Sequence, residues 1–407
     1  MSEKKIVFAP HILLPEKGTD MTAYSVIACD QFTSQIEYWN DLKDMIGDKL
    51  STFHMIYPEA YLENTNQEQY IKNINAKIKE YLNNNQLVDI GKSFILVERI
   101  TDYGVRRLGL VISIDLEEYS YKRGVDCSIK ASEATIEERI PPRLKIRKDA
   151  PIELPHTLLL FDDKEKTIVE PLYVKRKDLP CVYDFDLNQK GGHIRGYLIK
   201  DTDSVINAFH NLYKKNNNGL MFIVGDGNHS LATAKAHWEN VKKGLSKEKQ
   251  ANHPARYALV EANNIYDEGI IFEPIHRILF NCSDEFVDGL KQACNGSSDV
   301  SYIYTKEKGK IALKTPKNAA ETYQNIQNYI DSYLLKHPET KVDFIHDESS
   351  LLDVANKNPR SVAIVMPALG KGDIFEFVAK DMVLPRKSFS MGHASEKRYY
   401  LEAKMIA

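Results

Sequence analysis

One stretch, residues 218–235, constrains the fold of this chain most strongly. The run Leu220–Val224 is apolar without interruption, which is typical of a strand covered on both faces. The next three residues are Gly-Asp-Gly and break the strand. The stretch therefore predicts a strand, a glycine turn and then a helix. The helix is indicated by an apolar stripe at helical spacing, formed by Leu231, Ala234, Trp238 and Val241.

Polar side chains stand where this helix is expected to begin, at Asp226, Asn228, His229 and Ser230. The free backbone N–H groups of a first helical turn and the positive end of the helix dipole favour an anion. The same dipole is expected to disfavour the charged form of His229. A tight turn closed by an Asn or Ser cap explains the pattern as well. The turn alone leaves both interpretations open.

A second polar stretch lies at residues 132–147, where Arg139, Arg143 and Arg147 follow one another at intervals of four. Pro141-Pro142 should stop any helix that begins at the start of this stretch. Arginine forks fit phosphate or carboxylate groups. The alternative is a solvated helix end with surface ion pairs, which contribute little. Before other evidence, the stretch itself favours this alternative slightly.

The C-terminal half changes its pattern. The pair His276-Arg277 follows an expected strand and is either a polar anchor facing a ligand or a histidine at the edge of the core. From 281 to about 358 the pattern becomes helical with one basic hairpin, and apolar strands are expected at 362–366 and 374–378. These changes predict three regions, an N-terminal α/β region at 1–150, a core region with the turn at 151–280, and a C-terminal helical lobe with closing strands at 281–407.

The composition excludes several classes of function. The 407 residues are 43% hydrophobic and 27% charged, with a formal net charge of -3, which gives no electrostatic case for a nucleic-acid binder. The five cysteines lie far apart without a CxxC pair, which favours a reducing setting. The N-terminus lacks the apolar core of a signal peptide, and no stretch reaches membrane-spanning length. We expect a cytoplasmic protein without a membrane or nucleic-acid partner, and homo-oligomerisation stays open.

Standard catalytic motifs are missing around the turn. A dinucleotide-binding fingerprint would need a third glycine where Ser230 stands. The pair Gly370-Lys371 lacks the first glycine and the Ser or Thr of a phosphate-binding loop. No metal site is predicted, because His229 and His237 lie eight residues apart without a Cys–His cluster. The G-x-S-x-G of a serine hydrolase is absent as well. The residues alone predict an anion site and no named chemistry.

The strand and the turn at 225–230 resemble the D-G-H-H-R box of a widespread prokaryotic family, domain of unknown function ten-fifteen. Further motifs that resemble those of the family follow in the same order along nearly the whole chain. They are the acid–Thr segment at Glu133 and Thr135, the stretch at Arg139 and Pro142-Arg143, the strand at His156, the motif Pro274-Ile275-His276-Arg277, and the closing Pro385, Lys387 and Ser388.

That family is similar to the ParB/sulfiredoxin superfamily, whose members hold nucleotide phosphates at this box. The resemblance implies an α+β fold, with a mixed β-sheet core of ParB/sulfiredoxin-like type, surrounding helices and a helical C-terminal lobe. It implies phosphoryl transfer in serine metabolism, similar to that of free serine kinase, with ADP or ATP as cofactor and a small phosphorylated metabolite as partner. In this sequence Asn228 stands where the box has its first His, and Ser230 where it has Arg.

The resemblance also implies roles for single residues. The candidate catalytic residues are His229 as donor or acid, Glu133 as base, and Asp226 in the turn. Mg²⁺ could be held through Asp226, but nothing in the sequence indicates it. We expect the phosphate- or nucleotide-binding residues to converge with His229 on one cleft. These residues are Gly225, Gly227, Asn228, Ser230, Thr135, Arg139, Arg143, His276, Arg277, Lys387 and Ser388.

Two functions follow from this reasoning. The first is a phosphotransferase or phosphohydrolase that acts on serine, phosphoserine or a similar metabolite. The alternative is a nucleotide- or metabolite-binding regulatory protein of ParB-like type without turnover. An assay for phosphate release or nucleotide exchange separates them.

Overall fold

A computed structural model describes residues 4–63, 65–133, 135–283, 285–380, 382–385 and 387–407. By their contacts the residues divide into two units. The first unit comprises Met1–Ala131, Thr135–Ile270 and His393–Ala407, and the second comprises Ser132–Ala134 and Ile271–Gly392. Regions 1–150 and 151–280 fall almost wholly within the first unit, and the end of the chain returns to it. The division into three regions stays a prediction.

The first unit is built on a large mixed sheet. Up to residue 270 its strands are β1 (Val7–Phe8), β2 (His11–Pro15), β3 (Val26–Ile27), β4 (Leu87–Lys92), β5 (Phe94–Ile100), β6 (Arg106–Asp115), β7 (Tyr119–Ser120), β8 (Ile129–Ala131), β9 (Ile152–Glu153), β10 (Leu158–Phe161), β11 (Cys181–Leu187), β12 (Gly192–Ile199), β13 (Phe222–Asp226) and β14 (Tyr257–Asn264). Its helices are α1 (Met21–Tyr24), α2 (Ile36–Ile46), α3 (Gln67–Asn83), α4 (Ile140–Arg147), α5 (Val169–Val174), α6 (Thr202–Asn216), α7 (Asn228–Val241) and α8 (Lys247–Asn252).

The order of strands in the large sheet is β11-β12-β5-β6-β14-β10-β13-β8-β7, with β1 also paired to β6. The pairs β10–β14, β13–β8 and β7–β8 are parallel, and the other pairs are antiparallel. The predicted mixed sheet with surrounding helices is therefore confirmed at this level.

Both faces of the sheet are buried at its centre, as the period of two in β5 shows. Phe94 and Leu96 pack into one hydrophobic cluster, with α6 and α7, while Ile95 and Val97 pack into another, with α2 and α3. Strand β13 lies in the interior of the sheet, and its first three residues are fully buried. This explains the uninterrupted apolar run in the sequence.

The second unit also contains a sheet. Its strands are β15 (Phe272–Pro274), β16 (His276–Phe280), β17 (Ser298–Thr305), β18 (Gly309–Thr315), β19 (Lys341–Ile345), β20 (Ser361–Val365) and β21 (Phe389–Met391), and its helices are α9 (Glu285–Ala293), α10 (Ala319–Leu334), α11 (Glu348–Lys357) and α12 (Lys371–Ala379). The order β18-β17-β20-β16-β19 is antiparallel throughout, and β15 pairs with β21.

Two expectations for this unit are corrected. The lobe is not simply helical, because the predicted basic hairpin, β17–β18, joins β20 in a sheet that also contains β16 and β19. The run expected as a strand at 374–378 belongs to α12, in which Ile374, Phe375, Phe377 and Val378 are buried. A short apolar run covered on most sides does not distinguish a strand from a buried helix.

The chain then returns to the first unit with β22 (Tyr399–Tyr400) and β23 (Lys404–Met405), which pair with β3 and β9. Arg398 fixes this return. Its guanidinium donates to Glu261 at 2.9 Å and to Glu402 at 2.6 Å, and all three side chains are almost fully buried. No helix within the described part of the chain is both long and apolar enough to cross a membrane.

Candidate functional site

The predicted strand, turn and helix are present as β13, Gly227 and α7. Gly227 has φ +80°, and a Cβ there would stand 2.9 Å from the Cα of Thr157. Helix α7 begins at Asn228 without a side-chain cap. The N–H groups of its first turn therefore have neither an intrahelical acceptor nor a capping side chain. The Asn or Ser cap considered from the sequence is not what the helix uses.

Asp226 holds the turn in shape. Its Oδ1 accepts a hydrogen bond from the N–H of Gly227 at 3.0 Å, and its Oδ2 lies 3.4 Å from Nζ of Lys397. Beyond the turn, Oδ1 of Asn228 and Oγ1 of Thr135 are buried and carry no hydrogen bond. The carboxylate of Asp226 is thus engaged by its own turn and by a lysine.

His229 is held as a neutral imidazole. Its Nε2 accepts a hydrogen bond from the backbone N–H of Ile136 at 3.2 Å. A nitrogen that accepts cannot carry a proton, so Nδ1 is the protonated nitrogen. Burial lowers the pKa of His229 to about 4, helped by the positive charges of Arg143 and Arg139 and opposed by Asp30. The expected preference for the neutral form is present, with burial as its main cause.

The arginine series has two members that face carboxylates. The guanidinium of Arg143 contacts the carboxylate of Glu59, and that of Arg147 contacts Glu153. Arg139 is exposed, and its carbonyl oxygen accepts a hydrogen bond from Nη1 of Arg143 at 3.0 Å. The series is therefore neither a free cationic cluster nor a fully solvated helix end.

A cavity of about 170 Å³ in the first unit brings these elements together. Its lining includes His229 and Ser230 from α7 and Arg143 and Arg147 from α4. Aliphatic side chains from α3, α4 and the segments around residues 55 and 152 also line it. The start of α7 thus opens into a cavity that is partly open to solvent and has both polar and apolar lining residues.

The further polar residues that line the cavity and were not among the predicted site residues include Cys29, Asp30, His156 and Tyr400. The Oη of Tyr400 lies 2.7 Å from Nδ1 of His156 and 3.1 Å from Sγ of Cys29. Nε2 of His156 lies 3.9 Å from Oδ2 of Asp30. These residues come from segments near 30, 156 and 400, and the sequence spacing gives no signal that they meet.

The ionisation of this group is set by its surroundings. Burial acts to raise the pKa of Asp30, but His156, the amide of Gln31 and nearby cations outweigh it and hold that pKa below its ordinary value. Burial and Asp30 raise the pKa of Cys29 to about 12, so it is a thiol at neutral pH. The cavity therefore offers a carboxylate, a phenol and a thiol, and no thiolate nucleophile.

The remaining predicted residues lie in the second unit. Glu133 accepts a hydrogen bond from the N–H of Ser388 at 3.4 Å, and the hydroxyl of Ser388 donates to the carbonyl of Pro385. Nδ1 of His276 accepts from the N–H of Met366 at 3.1 Å. His276 and Ser388 are both buried, and these hydrogen bonds lie within the interior of this unit.

Arg277 is fully buried in the second unit. Its guanidinium lies 5.3 Å from the ring centroid of Tyr323 and 5.1 Å from that of Phe344, and it donates to the carbonyl of Lys387 at 3.0 Å. Nε and Nη2 carry no hydrogen bond. Burial lowers the pKa of Arg277 to about 10. The guanidinium is packed between aromatic rings, and its role toward phosphate stays a prediction.

The structure thus sorts the predicted residues into two groups. Gly225, Asp226, Gly227, Asn228, His229, Ser230, Thr135, Arg139 and Arg143 belong to the first unit, and Glu133, His276, Arg277, Lys387 and Ser388 belong to the second. The convergence of both groups on one cleft stays a prediction. Within the described residues, no group of three or more His, Cys, Asp or Glu side chains is placed to hold a metal ion.

The fold and the cavity define a class of protein with a large mixed sheet and a cavity at the start of a helix that follows an interior strand. The chain belongs to the family described as "Protein of unknown function (DUF1015)", whose model matches residues 13–347. This confirms the family resemblance found in the sequence. Among curated proteins no match is found.

Several solved structures are similar to this chain at low identity. Free serine kinase in complex with AMP is 10% identical, with 73% of this chain and 91% of that chain covered and a TM-score of 0.37. SbnI with C-terminal truncation, from Staphylococcus aureus, is 9% identical, with coverage of 69% and 83% and a TM-score of 0.38. A conserved hypothetical protein from Pyrococcus furiosus is 10% identical, with coverage of 72% and 90% and a TM-score of 0.34.

Proposed function

We propose that the first unit binds a small phosphorylated metabolite in its cavity and transfers or hydrolyses the phosphoryl group. The observation that carries this proposal is the state of His229. It is neutral, it lines the cavity in the first turn of an uncapped helix, and its remaining N–H is on Nδ1. A neutral donor beside free backbone N–H groups and Arg143 suits a phosphate oxygen.

In the proposed reaction the phosphate lies against the N–H groups of Asn228 to Ser230, with His229 as a further donor. The hydroxyl of an acceptor, or a water molecule, loses its proton to a base as its oxygen forms the new P–O bond. The P–O bond to the leaving oxygen breaks at the same time, and the leaving oxygen takes up a proton. A phosphate dianion would raise the pKa of His229, and protonation of Nε2, which gives up its hydrogen bond from Ile136, would allow the imidazolium to supply that proton from Nδ1.

Two carboxylates are candidates for the base. The sequence resemblance points to Glu133, which is in the second unit. Asp30 lines the same cavity as His229, and its lowered pKa keeps it ionised at neutral pH, which is the form in which a carboxylate can accept a proton. We assign the role of base to Asp30, whose carboxylate has His156 of the same cavity 3.9 Å away.

ADP or ATP remains part of the proposal, as does the relation of the fold to the ParB/sulfiredoxin superfamily. The residues at the turn fit a terminal phosphate, which the first turn of α7, His229 and Arg143 would hold. A bound nucleotide would supply or accept the phosphoryl group. Among the described residues, the positive charges of Arg143 and Arg139 act on His229. Either could take the place of the arginine that the family box carries where this chain has Ser230, but Arg143 already contacts Glu59.

A direct test is an assay of the whole chain against phosphoserine, other small phosphomonoesters, and serine with ADP or ATP, read by phosphorus NMR. We expect turnover of at least one of them. The variant Asp30→Asn should keep ligand binding and lose roughly 10²–10⁴ in turnover. The matched control is Asp186→Asn, because Asp186 is an exposed carboxylate that also contacts a histidine, at 2.6 Å. Equal activity of both variants would remove Asp30 from the chemistry.

One observation favours the second candidate, a metabolite-binding regulatory protein without turnover. Arg143 and Arg147 each already contact a glutamate, so little uncompensated positive charge is left to stabilise the charge of a phosphoryl-transfer transition state. This candidate predicts tight binding of a phosphorylated metabolite and no product over the whole panel of substrates.

A further inference from the structure

The cavity that receives the proposed phosphate continues into the hydrophobic core. Its apolar wall is formed by Met55, Ile56, Ile74, Ile78, Ile146 and Leu154. Met55, Ile56, Ile74 and Ile78 are members of the core cluster that also packs against the large sheet. A ligand bound by phosphate alone would leave this apolar surface against water, which is unfavourable.

Helix α4 contributes both charged and apolar side chains to the lining of the cavity. Arg143 and Arg147 line the cavity one turn apart, and Pro142 and Ile146 line it in the adjacent row. One helix therefore places a guanidinium next to an aliphatic surface. A ligand that contacts both the guanidinium and the aliphatic surface carries an anionic group directly beside an apolar group.

The size of the cavity limits the apolar group. A volume of about 170 Å³ corresponds to room for on the order of ten non-hydrogen atoms, taking the volume that each water needs. A nucleotide with its phosphate at the turn would extend out of the cavity through its open side. A phosphate monoester with a short aliphatic chain would fill the cavity.

We propose that the ligand is a small phosphate ester whose non-reacting part is an aliphatic chain of about four to six carbons. This inference rests on the proposed function, since it takes the phosphate to lie at the start of α7. It differs from the serine-sized polar metabolite that the family resemblance implies. The chain would lie against the isoleucines of α3 and α4.

The test is a calorimetric titration of the whole chain with inorganic phosphate, phosphoserine, ADP, and methyl, propyl, butyl and hexyl phosphate. Each added methylene should tighten binding about fourfold, the factor that corresponds to burying one methylene group, until the cavity is full. Butyl phosphate should bind more tightly than phosphoserine and ADP. An affinity that does not change along the series, with phosphate still bound, would overturn this inference and leave the proposed function standing. No binding of any phosphate would overturn both.

A pair of variants tests where the aliphatic chain of the ligand lies within the cavity. Ile146→Asn places a polar group on the apolar wall and should reduce the ratio of hexyl to methyl phosphate affinity at least about fourfold, the factor that burying one methylene contributes. Leu144→Asn is the control, because Leu144 is half-buried on the same helix and does not line the cavity. The control should keep the wild-type ratio. An unchanged ratio in Ile146→Asn would place the chain elsewhere and contradict the inference.

Discussion

At the scale of single residues, the structure explains why two histidines on α7 differ in their surroundings. Burial lowers the pKa of both His229 and His237 to about 4. The next contribution comes from Arg143 for His229 and from Arg147 for His237. The positive charge of each arginine therefore acts on a different imidazole.

A crossed pair of substitutions follows from this arrangement. Arg143→Gln should raise the pKa of His229 and leave that of His237 near its wild-type value. Arg147→Gln should instead raise the pKa of His237 and leave that of His229 near its wild-type value. The reason is that removing a nearby positive charge stabilises the imidazolium form. The pKa values can be followed by NMR of histidine-labelled protein. Equal shifts of both histidines in either variant would contradict the assignment.

The residues of the cavity also show how far sequence reasoning reached. His229, Ser230 and Arg143 were predicted, because a turn and a regular arginine spacing are local patterns. Asp30 and Tyr400 were not, because they meet only through the pairing of β3 with β22, at opposite ends of the chain. A single sequence carries no signal for such a long-range contact. Thus the turn was found and most of the cavity that it opens into was not.

At the scale of elements, the junction of β13 and α7 depends on one glycine. Gly227 has a positive φ and no space for a Cβ, because the backbone of Thr157 lies against it. The local sequence predicted this turn correctly because glycine is the residue for which such a conformation carries no steric cost. The misassignment of α12 has the opposite cause, since its burial hides the helical period.

Gly227→Ala should therefore destabilise the first unit by about 2–4 kcal/mol, the sum of a left-handed conformation and a backbone clash. The control is Gly219→Ala, because Gly219 has a similar φ of +73° but open space around its Cβ position. The control should cost about 1–2 kcal/mol. Urea unfolding followed by tryptophan fluorescence reports on this unit, which contains both Trp39 and Trp238. Equal losses in the two variants would contradict the close contact with Thr157.

At the scale of the whole molecule, the first unit is closed by the last residues of the chain. Arg398 lies buried between Glu261 of β14 and Glu402, and the same segment carries Tyr400 into the cavity and Lys397 to Asp226. The site therefore depends on a segment that is about 170 residues away from the turn in sequence.

Arg398→Gln should destabilise the first unit by about 3–5 kcal/mol, because it leaves two buried carboxylates without their partner. Lys49→Gln removes an exposed pair with Asp20 instead, at 2.9 Å, and should cost about 1 kcal/mol or less. The free energy of unfolding is measured as for the glycine variants. If Arg398→Gln lowered the free energy of unfolding no more than the surface control does, the ion pairs of Arg398 with Glu261 and Glu402 would not stabilise the first unit as we expect.

The stability of the first unit should also fall in mild acid. Because the pKa of His229 and His237 is about 4 in the folded protein and about 6.5 when unfolded, the unfolded chain binds more protons between these values. The stability that the two neutral histidines contribute is therefore fully present above pH about 6.5 and is lost as the pH falls toward about 4. The double variant His229→Gln/His237→Gln should lose less stability over this range in urea unfolding. If the free energy of unfolding fell equally with pH in the variant and the wild type, the lowered pKa values would be contradicted.

The central claim is that a phosphate group binds in the first turn of α7 beside His229. The most direct measurement is an NMR titration of the His229 imidazole against pH, with and without saturating inorganic phosphate. A phosphate anion at the turn should raise the pKa of His229 from about 4 by on the order of one unit or more, while His237 shows a much smaller change. Unchanged titration of His229 in the presence of phosphate would contradict the account.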